Sequence, residues 1–338
     1  MQKNRRIIQN KVTFEEIDIN RETFLNESEY IYTTRFWLDY LVKETKGVPV
    51  LLKITFNNMN CFFVGVIFRK MGIRICGSPF EGWSTPYMGF LKLSKYNDCE
   101  KNIIIRATLK YILNKKRCSY VQFCDWNIDL NFAINYRYKF ETHKTFYLDI
   151  SPDEDTLFAS FKTDVRTNCR NFAKRGACLK EVEPSIEFCE DYYNQLVKVF
   201  EKQQLNSFYN EDKIKRLLLS FSTHPEYIFC ENVYAPNING SIATGIFFGY
   251  KKRCYFFGAA SYSEYQILRP NEYVIWNAIC HWKKAGCLEF DMLGIRKYKE
   301  KFCPVYVEKP IIYYSKMPFL HFIKTIARNL TLFFRKKH

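Results

Sequence analysis

Arg166, Arg170 and Lys174 recur every four residues ahead of Gly176, a spacing that on a helix lines them along one face. A row of guanidinium and ammonium groups grips phosphate, and the same row serves equally as a solvated helix face. Asp291 lies near the end of a short strand that finishes Phe290-Asp291-Met292-Leu293-Gly294. A carboxylate at a strand end takes a proton from an attacking amine, or, buried beside Trp276 and Trp282, accepts structural hydrogen bonds. Lys299 brings an ammonium group that neutralises a phosphate or polarises a carbonyl, or is a solvated surface lysine. Arg269 precedes a helix whose N-terminus is a further seat for an anion. The histidines at 143, 224, 281, 321 and 338 have no metal-ligand spacing, so no metal site is expected, and no GxSxG elbow supports a serine nucleophile.

These groups need elements to hold them, and the clearest is a strand-helix-strand unit from Tyr255 to Gly294. Its helix is predicted from Asn271 as cap, carries Val274, Ile275, Ala278, Ile279 and Trp282 at apolar spacing, and closes at Gly286. The connecting loop, Ser261 to Pro270, is polar and aromatic and lacks the glycines of a phosphate cradle; Tyr262 is placed in its wall. Earlier, Val48 to Phe56 and Cys61 to Arg69 read as hairpin strands around Asn57-Asn58. Asn102 to Asn114 reads as a helix and Tyr120 to Phe123 as a strand. Between them, Ser78 to Gly89 is rich in turn formers and aromatics and reads as a cleft-lining or tightly packed loop. Thr145 to Ile150 reads as a strand, with Ser151 capping the following helix and Pro152 at its first position. A boundary near residue 145 gives domains 1–144 and 145–315, followed by a basic amphipathic helix, 316–338.

Length and composition agree with two domains: 338 residues, 47% hydrophobic, with 31 Phe and 24 Tyr suited to strand-rich cores. The 13 cysteines are scattered singly without a CxxC pair, which reads as buried free thiols. The N-terminus lacks a signal-peptide apolar core and no stretch approaches a spanning helix, so a cytoplasmic protein is expected. Net charge is +16, and no acid follows Glu308. The tail sets Phe319, Leu320, Phe322, Ile323, Ile326, Leu330, Phe333 and Phe334 largely on one helical face, with Lys324, Arg328 and Arg335 to His338 as charge. Such a helix lies on an anionic membrane surface, peripheral on its inner face, or packs on the body of the protein.

The wording of the second half resembles the Fem family of peptidoglycan-bridge aminoacyltransferases (FemAB type) and the related CelD-like acetyltransferases of surface-polysaccharide clusters. The matching words are Phe256-Phe257-Gly258-Ala259-Ala260, then Asn271 and Trp276, then Trp282, Gly286, and Phe290-Asp291 with Gly294. The resemblance covers most of the chain and is strongest from about residue 145 to 302. It implies an α/β (α+β) fold of two tandem GNAT-like domains with mixed, mostly antiparallel sheets flanked by helices. It makes Tyr87 a ligand contact, because relatives carry a similar Pro, Tyr and Gly word there, and it pairs the Arg166 to Gly176 segment with a family helix. Lys299 matches a family lysine, while Tyr298 stands in for a Phe and Lys301 and Cys303-Pro304 replace expected glycines.

The function implied is transfer of an acyl group, from acyl-CoA as co-substrate, to an amine of a nucleotide- or lipid-linked sugar or a peptidoglycan precursor. Donor and acceptor phosphates would be held by basic groups such as Arg166, Arg170, Lys174 and Lys299, with Tyr87, Tyr262, Arg269 and Asn271 as further substrate or donor contacts and Asp291 and Lys299 as catalytic candidates. An aminoacyl-tRNA donor is the alternative suited to a basic chain lacking the CoA loop. A non-catalytic glycan-binding protein at the membrane surface is the third.

Overall fold

Asn57 and Asn58 both take left-handed backbone angles, φ 51° and 59°, the conformation a two-residue hairpin turn needs and asparagine tolerates. They join the strands Val48–Phe56 and Met59–Lys70 in a computed structural model that describes residues 11–18, 25, 28–205 and 210–334. The fold divides into two compact units, Met1–His143 with Glu308–His321, and Lys144–Val307 with Phe322–His338.

The first unit begins with β1 (Thr13–Glu16), α1 (Arg35–Thr45), β2 (Val48–Phe56), β3 (Met59–Lys70), β4 (Ile73–Ser78) and β5 (Gly89–Leu91). It continues through α2 (Asp98–Asn114), β6 (Tyr120–Cys124), α3 (Leu130–Asn135) and the start of β7 (Phe140–Asp149). Strands β1 to β4 are antiparallel neighbours, β6 lies parallel to β4, and β5 adds to β3. α2 is the crossover that a parallel pair requires. It starts four residues before the predicted Asn102 because Asn97 and Glu100 close a reciprocal capping box. Its Ile104, Ile105, Leu109, Ile112 and Leu113 are buried in one core with β2, β3 and β6.

The second unit takes up β7 and runs through α4 (Glu154–Ser160), α5 (Thr163–Arg170), β8 (Cys178–Val182), α6 (Ile186–Lys202) and α7 (Glu211–Ser220). Then come β9 (Ile228–Tyr234), β10 (Ala243–Tyr250), β11 (Arg253–Ser261), α8 (Pro270–Lys284), β12 (Glu289–Asp291), β13 (Val305–Ser315) and α9 (Pro318–Phe334). The order β7-β12-β11-β10-β9-β8 is antiparallel except for β11 and β12, which are parallel and joined by the crossover α8. Every residue of β10 is buried, since α8 covers one face of this sheet and α6 the other, with α7 packed against α6. Both units therefore repeat one motif: an antiparallel hairpin, a crossover helix and a parallel strand. The last part of β13, Ile311 to Ser315, and the first turn of α9 belong to the first unit, where β13 pairs with β6.

Two predicted caps move. Asp153, not Ser151, caps α4, accepting from the Thr156 amide, and α8 begins two residues early, with Pro270 at its first position behind Arg269 rather than Asn271 as the cap. Proline fits there because it lacks the amide proton that a first-turn residue leaves unpaired. All 13 cysteines are free and nine of them are buried. Among the described residues no helix is long and apolar enough to cross a membrane. The tail forms α9, with Leu320 buried, while the basic residues Arg335 to Lys337 and His338 lie outside the described residues.

Candidate functional site

β11 and β12 pair only from Arg253 to Tyr255 against Glu289 to Asp291, and then part. β12 stops, turning at Leu293 (φ 48°) and Gly294 (φ 100°), while β11 runs on to Ser261. Beyond Tyr255 this edge of β11 has no partner strand among the described residues. The opening is made irregular by a bulge: Ile246 faces Gly258 and Phe247 faces Phe256, so Phe257 is an extra residue on β11. Phe257, Gly258 and Ala259 are the half-buried residues of an otherwise buried strand. An open strand edge of this kind accepts an extended ligand by backbone hydrogen bonding, and its amides can polarise a carbonyl placed against them.

At the end of the connecting loop the chain enters α8 through Arg269, held at φ 53°, with no side chain capping the helix. A cavity of about 180 Å³ lies between this first turn and the 3-10 turn Lys297–Phe302, lined by Gln266, Arg269, Pro270, Asn271, Glu272, Ile275, Tyr298, Lys301 and Phe302. Its charge is mixed. Glu272, buried in the first helical turn where a carboxylate meets the positive end of the helix dipole, accepts from Lys301 Nζ at 2.6 Å and from Asn168 Nδ2 at 3.4 Å. Lys301 also reaches Asp164 on α5 at 3.5 Å, and Arg175 donates to Asn168 at 3.0 Å. Arg269 is the exposed cation of the lining. The helix end thus carries its own anion, and Pro270 removes one amide donor. Together with the missing glycines, this makes a poor fit for the diphosphate of coenzyme A.

Asp291 and Lys299 brace the turn that ends β12. The buried Asp291 carboxylate accepts from the Thr145 hydroxyl at 2.6 Å and the Leu293 amide at 2.9 Å. The Lys299 ammonium donates to the carbonyls of Met292 and Gly294 and lies 4.8 Å from the centre of the Phe256 ring. Burial pulls its pKa down to about 8, against the opposing pull of the Asp291 charge.

Arg269 and Asn271 line the cavity, as do Tyr298 and Lys301, the departures from the family pattern; the other candidate site residues lie elsewhere. Tyr262 is half-buried at the end of β11, its hydroxyl pKa raised first by burial and then by Asp191. The basic stripe is not one helical face: α5 ends at Arg170, and Lys174 sits exposed on a separate 3-10 turn, Ala173–Arg175. Arg166 donates to Thr163 Oγ1 at 3.0 Å and Arg170 packs 5.4 Å from the Phe158 ring. Tyr87, in the first unit, is fully buried against Tyr30, Tyr32 and Trp126, so its loop is packed rather than cleft-lining. Sequence reasoning missed Glu272 and Asn168, and read Lys301 only as a replaced glycine. A glutamate three positions into a helix was a readable signal; its pairing with Lys301, 29 residues on, was not.

No protein-family model and no curated protein matches the chain. Among solved structures, the crystal structure of FemX is similar at a TM-score of 0.69 and 10% identity, covering 89% of this chain and 97% of that one. A conserved protein of unknown function from Bacteroides thetaiotaomicron gives 0.56 at 11% identity, over 90% of this chain and 100% of that one. A tandem GNAT protein from the clavulanic acid biosynthesis pathway gives 0.53 at 8% identity, over 91% and 99%. At these identities the likeness is one of fold, and the fold is the tandem GNAT type, a mixed and mostly antiparallel sheet flanked by helices.

Proposed function

We propose that the chain is a FemAB-type N-acyltransferase acting on an amine of a cell-envelope precursor, a nucleotide- or lipid-linked amino sugar or a peptidoglycan precursor. The observation that carries this reading is the parting of β11 and β12 beside the first turn of α8. The donor's acyl arm lies along the open edge from Phe257 to Ala259, where backbone amides polarise its carbonyl. The acceptor nitrogen attacks that carbon, the C–N bond forms, the bond to the donor oxygen or sulfur breaks, and the amine proton leaves to water or a base. Arg269 and Asn271 hold the donor's distal end. Asp291 and Lys299 act by fixing the floor of the opening, since their polar atoms are taken up by Thr145, Leu293, Met292 and Gly294.

The donor divides the reading in two. Acyl-CoA is the donor expected of the fold class, whereas the carboxylate of Glu272 at the α8 N-terminus favours an aminoacyl-tRNA ester, which requires no diphosphate seat there. The test is incubation with acetyl-CoA, longer acyl-CoAs and charged tRNA against amino-sugar nucleotides and lipid-linked precursors, with mass spectrometry of the products. Product from charged tRNA that RNase abolishes supports the ester donor. Folded protein that gives no donor-dependent product with any of these acceptors overturns the enzyme reading in favour of a glycan-binding protein.

A further inference from the structure

The first unit carries a basic groove of its own, about 890 Å³, between α2, the turn entering β7, the end of β13 and the first turn of α9. Arg106, Lys110, Arg137, Lys139, Lys316 and His321 line it, and no Asp or Glu does. Arg106 is tied to the Tyr136 carbonyl at 2.7 Å and Lys316 to the Leu113 carbonyl at 2.6 Å. Lys110, Arg137 and Lys139 are exposed, with no side-chain hydrogen bond or ion pair among the described residues. Glu141, 3.5 Å from His321 Nε2, is the acid that approaches this wall.

A second observation comes from α9, whose first turn supplies His321. The apolar stripe of this helix points outward. Phe319, Phe322, Ile323, Ile326 and Leu330, spaced three and four residues apart, are 42% to 65% exposed, whereas Lys324 and Arg328 are half-buried. A helix packed for water turns its apolar side in; this one has its sides reversed. RNA would satisfy the groove and leave five large apolar side chains in water. A bilayer with anionic headgroups offers an acyl region to the stripe and phosphates to a basic groove.

We propose that α9 lies in the interface of an anionic phospholipid bilayer with its apolar stripe in the acyl region, and that the groove binds a lipid headgroup phosphate. This stands apart from the acyl-transfer reading, because its test needs no donor or acceptor. The full chain is floated with vesicles of phosphatidylcholine alone and of phosphatidylcholine with phosphatidylglycerol, over a range of salt. Binding is expected only with the anionic lipid, falling steeply as salt rises; binding indifferent to lipid charge and to salt overturns the proposal. Phe322→Asp with Ile326→Asp, and separately Lys110→Ala with Arg137→Ala and Lys139→Ala, are each expected to weaken binding about tenfold or more. Because all five positions are exposed, circular dichroism melting is expected to match the parent. Variants that float like the parent overturn it. So does a triple-alanine chain that keeps vesicle binding while losing gel-shift binding to bulk tRNA, which assigns the groove to nucleic acid.

Discussion

The Thr145 hydroxyl donates to the Asp291 carboxylate at 2.6 Å and accepts from the Gly294 amide at 3.0 Å, so one threonine on β7 closes the turn where β12 ends. Both side chains are fully buried, out of reach of bulk solvent. Thr145→Val therefore deprives a buried carboxylate of one donor and orphans the Gly294 amide. The expected loss is about 2–3 kcal/mol of unfolding free energy, read by urea denaturation. Thr145→Ser restores most of it; equal stability of the valine and serine variants would count against the hydroxyl as the link.

The features legible in the sequence were those set by local pattern. Val274, Ile275, Ala278, Ile279 and Trp282 are all buried on α8, Gly286 follows its end at φ 92°, and the Asn57-Asn58 hairpin is as read. The repeated hairpin, crossover and parallel strand left no residue-level period, because a sheet constrains burial rather than identity. What failed depended on distant partners. The four-residue basic stripe breaks because the helix ends at Arg170 and Phe172 turns in to stack on Tyr273, 4.1 Å between ring centres. Tyr87 is enclosed by rings 57, 55 and 39 positions away, which no local window shows. The anion at the α8 N-terminus was hidden likewise, since its cation comes from the turn after β12.

Glu231, on β9, makes stability depend on pH. It is fully buried, with one oxygen receiving Asn277 at 2.8 Å from α8 and Glu181 as a like charge; burial pushes its pKa up from 4.5 to about 8. Its folded pKa lies above its unfolded one, so its contribution is complete below pH 4.5 and is lost as pH rises towards and through 8. Glu231→Gln keeps the Asn277 contact and cannot ionise. Relative to the parent, the variant is expected to gain on the order of 3 kcal/mol between pH 5 and pH 8.5. Parallel stability profiles for the two proteins across that range would show that Glu231 does not titrate in it.

The opening on β11 also depends on a missing side chain. A Cβ at Gly258 would run into the hydroxyl of Tyr192 on α6, a buried residue with little room to give. Gly258→Ala is expected to cost about 1–3 kcal/mol. Adding Tyr192→Phe removes the colliding atom, and thermal melts of the single and double variants should show a recovery. A single variant as stable as the parent would mean that α6 moves freely against β11.

Glu272 and Lys301 test both the packing of the site and the choice of donor. Lys301→Ala leaves a buried carboxylate without its 2.6 Å cation, and an uncompensated buried charge costs on the order of 3 kcal/mol. Glu272→Gln with Lys301→Met removes both charges at similar volume, and its stability is expected to return to within about 1 kcal/mol of the parent. Glu272→Gln alone has a different consequence. It strips the anion from the α8 N-terminus while Lys301 and Arg269 remain, so an added anion meets two cations and the unopposed helix dipole. Calorimetry with pyrophosphate should then show binding tightened roughly fivefold or more over the parent. If pyrophosphate binds parent and variant alike, Glu272 does not exclude a diphosphate, and acyl-CoA stands level with charged tRNA as the donor.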